Sequence, residues 1–99
     1  MRRIFKRPRA RADIIDIWLY TAQQWGEEKA EEYLDVLEHA FGVLSNHPSI
    51  GVDSGEIANT LRRYAVRSHV IYYHDDGGSI EIIRVLHERM NADEHLNDE

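Results

Sequence analysis

A chain of 99 residues, 42% hydrophobic and 30% charged, has room for one globular domain with a single two-layer core. It contains no run of about 18 apolar residues and no cysteine, which excludes a membrane-spanning helix, disulfides and thiolate chemistry. The net charge of −6 makes it a poor general nucleic-acid binder, although residues 1–11 hold six basic side chains and no acid while residues 12–60 hold ten acids and one lysine.

The basic N-terminal stretch lacks the apolar core of a signal peptide, so a cytoplasmic protein is expected. A first strand is predicted through residues 3–7. Ile4 and Phe5 supply its apolar content, and Pro8 biases Arg7 away from helix. Pro8 also suits the start of a helix. From there to Trp25, the side chains of Ile14, Ile17, Trp18 and Trp25 fall near one face, and Trp18 and Trp25 are expected to anchor the core. Gly26 ends this helix as a residue able to take positive φ.

A second helix follows at once. Ala30, Tyr33, Leu34, Leu37, Ala40, Phe41 and Leu44 hold the i, i+3, i+4, i+7 pattern without a break. Glu27, Glu28, Glu31 and Glu32 complement the dipole at its N-terminal end, and Asn46-His47-Pro48 closes it. Gly42 costs about 1 kcal/mol in a helix interior, and a close crossing of the first helix would explain it. Residues 48–60 read as a glycine-containing loop. Strands are predicted at 61–66, 68–74 and 79–86, with Asp75-Asp76-Gly77-Gly78 as a hairpin turn. Strict alternation in the last strand puts Ile80, Ile82, Arg84 and Leu86 on one face, and Glu81, Ile83, Val85 and His87 on the other. Both sets carry apolar residues, so this strand belongs in the sheet interior. Residues 91–99 form a polar tail with room for one helical turn anchored by Leu96. The expected architecture is α+β over residues 1–99: an N-terminal strand, a helical hairpin and a three-stranded antiparallel meander, with the hairpin packed on a small sheet.

Candidate chemistry is sparse. The six histidines form no H-x-x-x-H or H-E-x-x-H pair, so no metal site is expected. No serine stands in a nucleophile elbow and no glycine-rich loop opens a helix, so no cofactor is expected either. Metal-free RNA cleavage remains an option. It needs a base, an acid and cations for the developing phosphorane charge. His87 or Glu88 could supply the first two, and Arg62, Arg63 and Arg84 the third. The structural alternative for Arg84 is an ion pair with Glu81 or a helix acid.

Several blocks of the chain, taken together and in this order, resemble the ParE toxins of bacterial type II toxin–antitoxin systems, within the RelE/ParE superfamily. They are Ala12-Asp13-Ile14-Ile15-Asp16-Ile17-Trp18-Leu19-Tyr20, Trp25-Gly26, Tyr33-Leu34, Leu61-Arg62, His69-Val70-Ile71-Tyr72-Tyr73 and Arg84-Val85-Leu86-His87-Glu88-Arg89-Met90. The resemblance implies a helical hairpin on a small sheet. It also implies a toxin that poisons DNA gyrase by stabilising cleaved DNA and is not an enzyme. Neutralisation would come from a ParD-type antitoxin whose C-terminal segment wraps the toxin, with promoter DNA bound only through the antitoxin. RelE relatives instead cut mRNA in the ribosomal A site, using lysine, arginine and a C-terminal tyrosine or histidine. Here no lysine follows Lys29 and no tyrosine follows Tyr73, departures that favour ParE.

On this reading the target-contact residues are Arg84, His87, Arg89 and Met90, with Arg62 and Arg63 beside them, and none is assigned to catalysis. Antitoxin binding is expected on apolar surface around Tyr20, Tyr33, Ile50 and Val52.

Overall fold

The computed structural model describes residues 1–55, 57 and 60–96. Its elements run β1 (Arg3–Lys6), α1 (Pro8–Trp25), α2 (Glu27–Asn46), β2 (Val52–Asp53), β3 (Arg62–Val66), β4 (His69–Asp75), β5 (Ser79–His87) and α3 (Ala92–Leu96). The strands form one five-stranded sheet in the order β1-β5-β4-β3-β2. β1 lies parallel to β5, and every other pairing is antiparallel. The expected α+β architecture is therefore present, with β2 as an addition inside the predicted 48–60 loop. Residues 56, 58 and 59 of that loop, and 97–99 of the tail, lie outside the described residues.

Local chemistry sets the boundaries. Pro8 opens α1, and a single glycine, Gly26, links the two helices at φ 95°, where a side chain would be strained. Asp76 builds the β4–β5 turn. Its carboxylate accepts from the Ser79 and Gly78 amides and from the Ser79 hydroxyl, and these bonds hold it below the usual carboxylate range. Asp75 beside it is held low chiefly by the Arg2 guanidinium at 2.9 Å, with help from the Gly77 amide.

The main core lies between the hairpin and the sheet. Leu37, Ala40, Phe41 and Leu44 of α2 and Ala10 of α1 pack on Ile71, Tyr73, Ile80, Ile82 and Val85. A smaller cluster covers the opposite face: Leu61, Tyr72, Ile83 and Leu86, closed by Leu96 of α3. The single turn expected around Leu96 is thus what seals that side.

Three expectations change. A β-bulge shifts the β4–β5 register between Tyr72 and Tyr73: Tyr73 pairs with Ile82 but Tyr72 with Arg84. The extra residue resets the alternation, so Ile80, Ile82 and Val85 share the helix side while Ile83 and Leu86 share the other. Trp25 is 65% exposed and packs edge-on against Tyr20, with ring centroids 6.3 Å apart, so it is no core anchor. Trp18 is half-buried and its indole N–H donates to Glu31 on α2. Gly42 is exposed, and nothing lies within 4 Å of where its Cβ would be, so no crossing helix explains it.

Candidate functional site

The segment Arg84–Met90 is held from both sides of the sheet. β1 pairs with β5 only as far as Ile82, which leaves the next residues of that edge without a strand partner there. Asp13 of α1 fills the gap. Its carboxylate accepts from the Val85 amide at 3.0 Å and takes a two-pronged ion pair from Arg84, Nε at 2.7 Å and Nη2 at 2.9 Å. Arg84 Nη1 donates to the His95 carbonyl in α3 at 3.0 Å. Arg84 is 9% exposed. A planar guanidinium suits this task, because it can bind a carboxylate with two nitrogens and still donate elsewhere. The geometry is that of the structural alternative, an ion pair with a helix acid, and it ties α1, β5 and α3 together.

Beyond this anchor the strand end opens onto a cleft of about 820 Å³ between the hairpin and the sheet. His87 and Met90 line it, as do Tyr20, Tyr33 and Trp25 from the helices. Target-contact and antitoxin candidates that are far apart in sequence therefore share one cavity. His87 stands opposite His69 in the β4–β5 register, with ring centroids 5.3 Å apart. His69 Nδ1 shares a 2.5 Å hydrogen bond with the Tyr33 hydroxyl. Burial, then the neighbouring His87, push the His69 pKa down, so its neutral form is favoured. His87 Nδ1 accepts from the Arg89 amide at 3.1 Å, so neutral His87 carries its proton on Nε2. The cavity thus has aromatic walls and a polar floor of imidazoles, the character of a recognition site.

The remaining predicted site residues stand elsewhere. Arg62 and Arg63 are on β3, separated from β5 by β4. Arg62 pairs with Tyr73, four positions along β4 from His69 and hence about 13 Å from the cleft end at the usual strand rise. Arg62 Nη1 donates to the Gly51 carbonyl at 2.7 Å and Arg63 Nη1 to Ser54 Oγ. Both hold the loop after α2. Ile50 and Val52 are exposed on that same loop and its short strand, away from Tyr20 and Tyr33. Arg89 is exposed just past β5.

The family described as "ParE toxin of type II toxin-antitoxin system, parDE" matches residues 4–92. The chain belongs to the ParE toxin family. Among its relatives, Toxin ParE1 of Caulobacter vibrioides is 43% identical over 88 residues, which cover 89% of this chain and 91% of that protein. Toxin ParE1 of Mycobacterium tuberculosis is 39% identical over 90 residues, with coverages of 90% and 92%. A solved structure, "Chromosomal ParDE TA system from P. aeruginosa", superposes with a TM-score of 0.76 over 88% of this chain and 96% of that one. At 18% identity, that likeness speaks for the ParE fold alone.

Three residues matter to the site of this ParE toxin that sequence reasoning did not assign to it. Asp13 carries the Arg84 anchor, yet in sequence it is one acid among several near the start of a helix. His69 pairs with His87, and only the β4–β5 register makes them neighbours. Trp25 lines the cleft because the hairpin ends there; a tryptophan one residue before a helix-terminating glycine was the available signal. Among the described residues, no helix is long and apolar enough to cross a membrane, and no group of three or more His, Asp or Glu side chains is placed to hold a metal ion.

Proposed function

We propose that this ParE-family chain inhibits DNA gyrase by binding it and stabilising cleaved DNA, and that a ParD-type antitoxin neutralises it by direct contact. Family membership over residues 4–92 supports the toxin assignment. One observation carries the choice of binding over catalysis: the cations that RNA cleavage would need are dispersed and already engaged. Arg84 is buried against Asp13, while Arg62 and Arg63 hold a loop two strands away. The acceptor nitrogen of His87 is taken by the Arg89 amide, which leaves an N–H donor at Nε2 and no free lone pair for a general base. The target surface on this reading is the end of the segment, half-buried His87 with exposed Arg89 and Met90. Arg84 positions it, and Arg62 and Arg63 shape the separate loop after α2. Tyr20 and Tyr33 contribute antitoxin contact within the cleft, with Ile50 and Val52 a separate apolar contact on the loop.

The test combines purified gyrase, supercoiled plasmid and this protein, with and without the antitoxin, and scores linear plasmid after the enzyme is denatured. Linear product that depends on this protein and vanishes with the antitoxin is expected. A folded sample that arrests growth but yields no linear product overturns the gyrase reading. Ribosome-dependent mRNA cleavage lost in His87→Ala would then take its place.

A further inference from the structure

β1 is an edge strand, and among the described residues no strand pairs with its outer side. The amides of Arg3 and Arg7 donate to the carbonyls of Gly78 and Ile82. The parallel register therefore turns Arg3, Phe5 and Arg7 toward β5, and the backbone groups of Ile4 and Lys6 away from it. Of these outward groups, the Lys6 carbonyl accepts from Arg11 Nε at 3.3 Å. The Ile4 amide, the Ile4 carbonyl and the Lys6 amide point away from β5, and Ile4 and Lys6 line a slot of about 460 Å³. α2 forms the other wall through Glu38, Phe41, Gly42 and Ser45. The slot is closed at one end, where the Arg2 amide donates to the Ser45 carbonyl at 3.0 Å and the Ser45 hydroxyl donates to the Arg2 carbonyl.

Gly42 lines this slot, and its own chain gives no reason for it. It stands in the interior of a 20-residue helix with nothing within 4 Å of the Cβ position. A glycine there carries the cost of backbone entropy and leaves space for another backbone to come close. Open strand-edge groups beside such a gap are a template for an added strand.

We propose that an acidic, extended segment of a partner protein adds to the sheet along β1, its backbone passing over Gly42. Charge selects the occupant. The first eleven residues carry six basic side chains and no acid. Lys6 already holds Glu38 at 2.8 Å, Arg2 holds Asp75 and Arg7 holds Glu81 at 2.7 Å, but Arg3 has no carboxylate partner among the described residues. A second copy of this chain pairing edge to edge would set Arg3 and Lys6 against their own counterparts, so self-pairing is disfavoured. Phe5, exposed on the far face of β1, offers an apolar contact to a cross-strand neighbour. This surface is separate from the cleft at His87 and from the gyrase reading, so either can fail alone.

The probe is a short fluorescent peptide alternating glutamate with valine, set against its lysine–valine counterpart. Fluorescence anisotropy measures binding, and amide NMR locates it on the full chain. Saturable binding of the acidic peptide is expected, with hydrogen-exchange protection at the Ile4 and Lys6 amides and little binding of the lysine peptide. Gly42→Leu keeps a strong helix former at the site, so the fold should persist while affinity falls by about tenfold or more. Gly42→Ser, a smaller intrusion, should weaken binding less. The proposal is overturned by equal binding of both peptides, by an unchanged affinity in folded Gly42→Leu, by amide shifts confined to the Tyr20–Tyr33 cleft, or by a dimer of the free chain protecting Ile4 and Lys6.

Discussion

Asp13 and Arg84 each shield the other's charge from an apolar surround, with side chains 11–13% exposed. Removing Asp13 takes the bidentate carboxylate away from a buried guanidinium, which costs far more than losing a surface pair. Asp13→Ala should lower unfolding free energy by roughly 3–5 kcal/mol in urea titration. It should also loosen α3, seen as faster amide exchange at His95 and Leu96. Gly51 is constrained for a different reason: an added Cβ would overlap the Tyr73 ring and sit 2.9 Å from the Arg63 carbonyl. The Tyr73 hydroxyl also accepts from the Gly51 amide and donates to the Pro48 carbonyl. Gly51→Ala should cost about 1–3 kcal/mol, read from the same titration. His69 adds a pH dependence. Its folded pKa is below the ordinary 6.5, so the unfolded chain binds the proton more readily. The stability it contributes is present in full above about pH 6.5 and is lost as pH falls through the folded value. His69→Asn should flatten that part of the stability–pH curve, and an NMR titration of the ring should show the lowered midpoint.

At the scale of elements, the hairpin has an inner face for the core and an end that opens onto the cleft. Tyr20, Trp25 and Met90 are exposed there. They contribute little to the fold, since exposed side chains away from special features rarely matter by more than about 0.5 kcal/mol. Tyr20→Ala combined with Met90→Ala should therefore leave the melting temperature nearly unchanged. On the proposed function, Tyr20→Ala alone should weaken antitoxin binding by about tenfold or more in calorimetry, and Met90→Ala alone should reduce growth arrest. Arg89→Glu should leave the fold intact and abolish growth arrest. Full toxicity in that variant would remove Arg89 from the target surface.

At the scale of the molecule, charge is segregated by sequence. The acids of residues 12–60 lie mostly on the outer surfaces of the hairpin, and basic residues dominate β1 and its approach. A partner that wraps the hairpin should carry basic residues, and raising salt should weaken its binding, because exposed charges are screened within about 10 Å at 0.1 M. Salt-independent affinity across a titration from low to high ionic strength would show that the contact is essentially apolar.

Local sequence determined the two helices, the turn at Asp75–Gly78, the interior place of β5 and the two-layer α+β architecture. Those features follow from local rules: proline and glycine at element ends, a 3.6-residue repeat in α2, and strand formers on both faces of one strand. Only the tertiary structure decided which side of β5 each residue takes, because a single bulged residue resets the phase and no local pattern announced it. It also decided that Arg84 is an anchor, that His87 meets His69, and that Arg62 and Arg63 stand apart from both. Each of these depends on strand register or on an acid 71 positions away, as Asp13 is from Arg84. Trp25 makes the same point in reverse. Its large apolar ring suggested the core, but its place at the end of α1 leaves it exposed in the cleft.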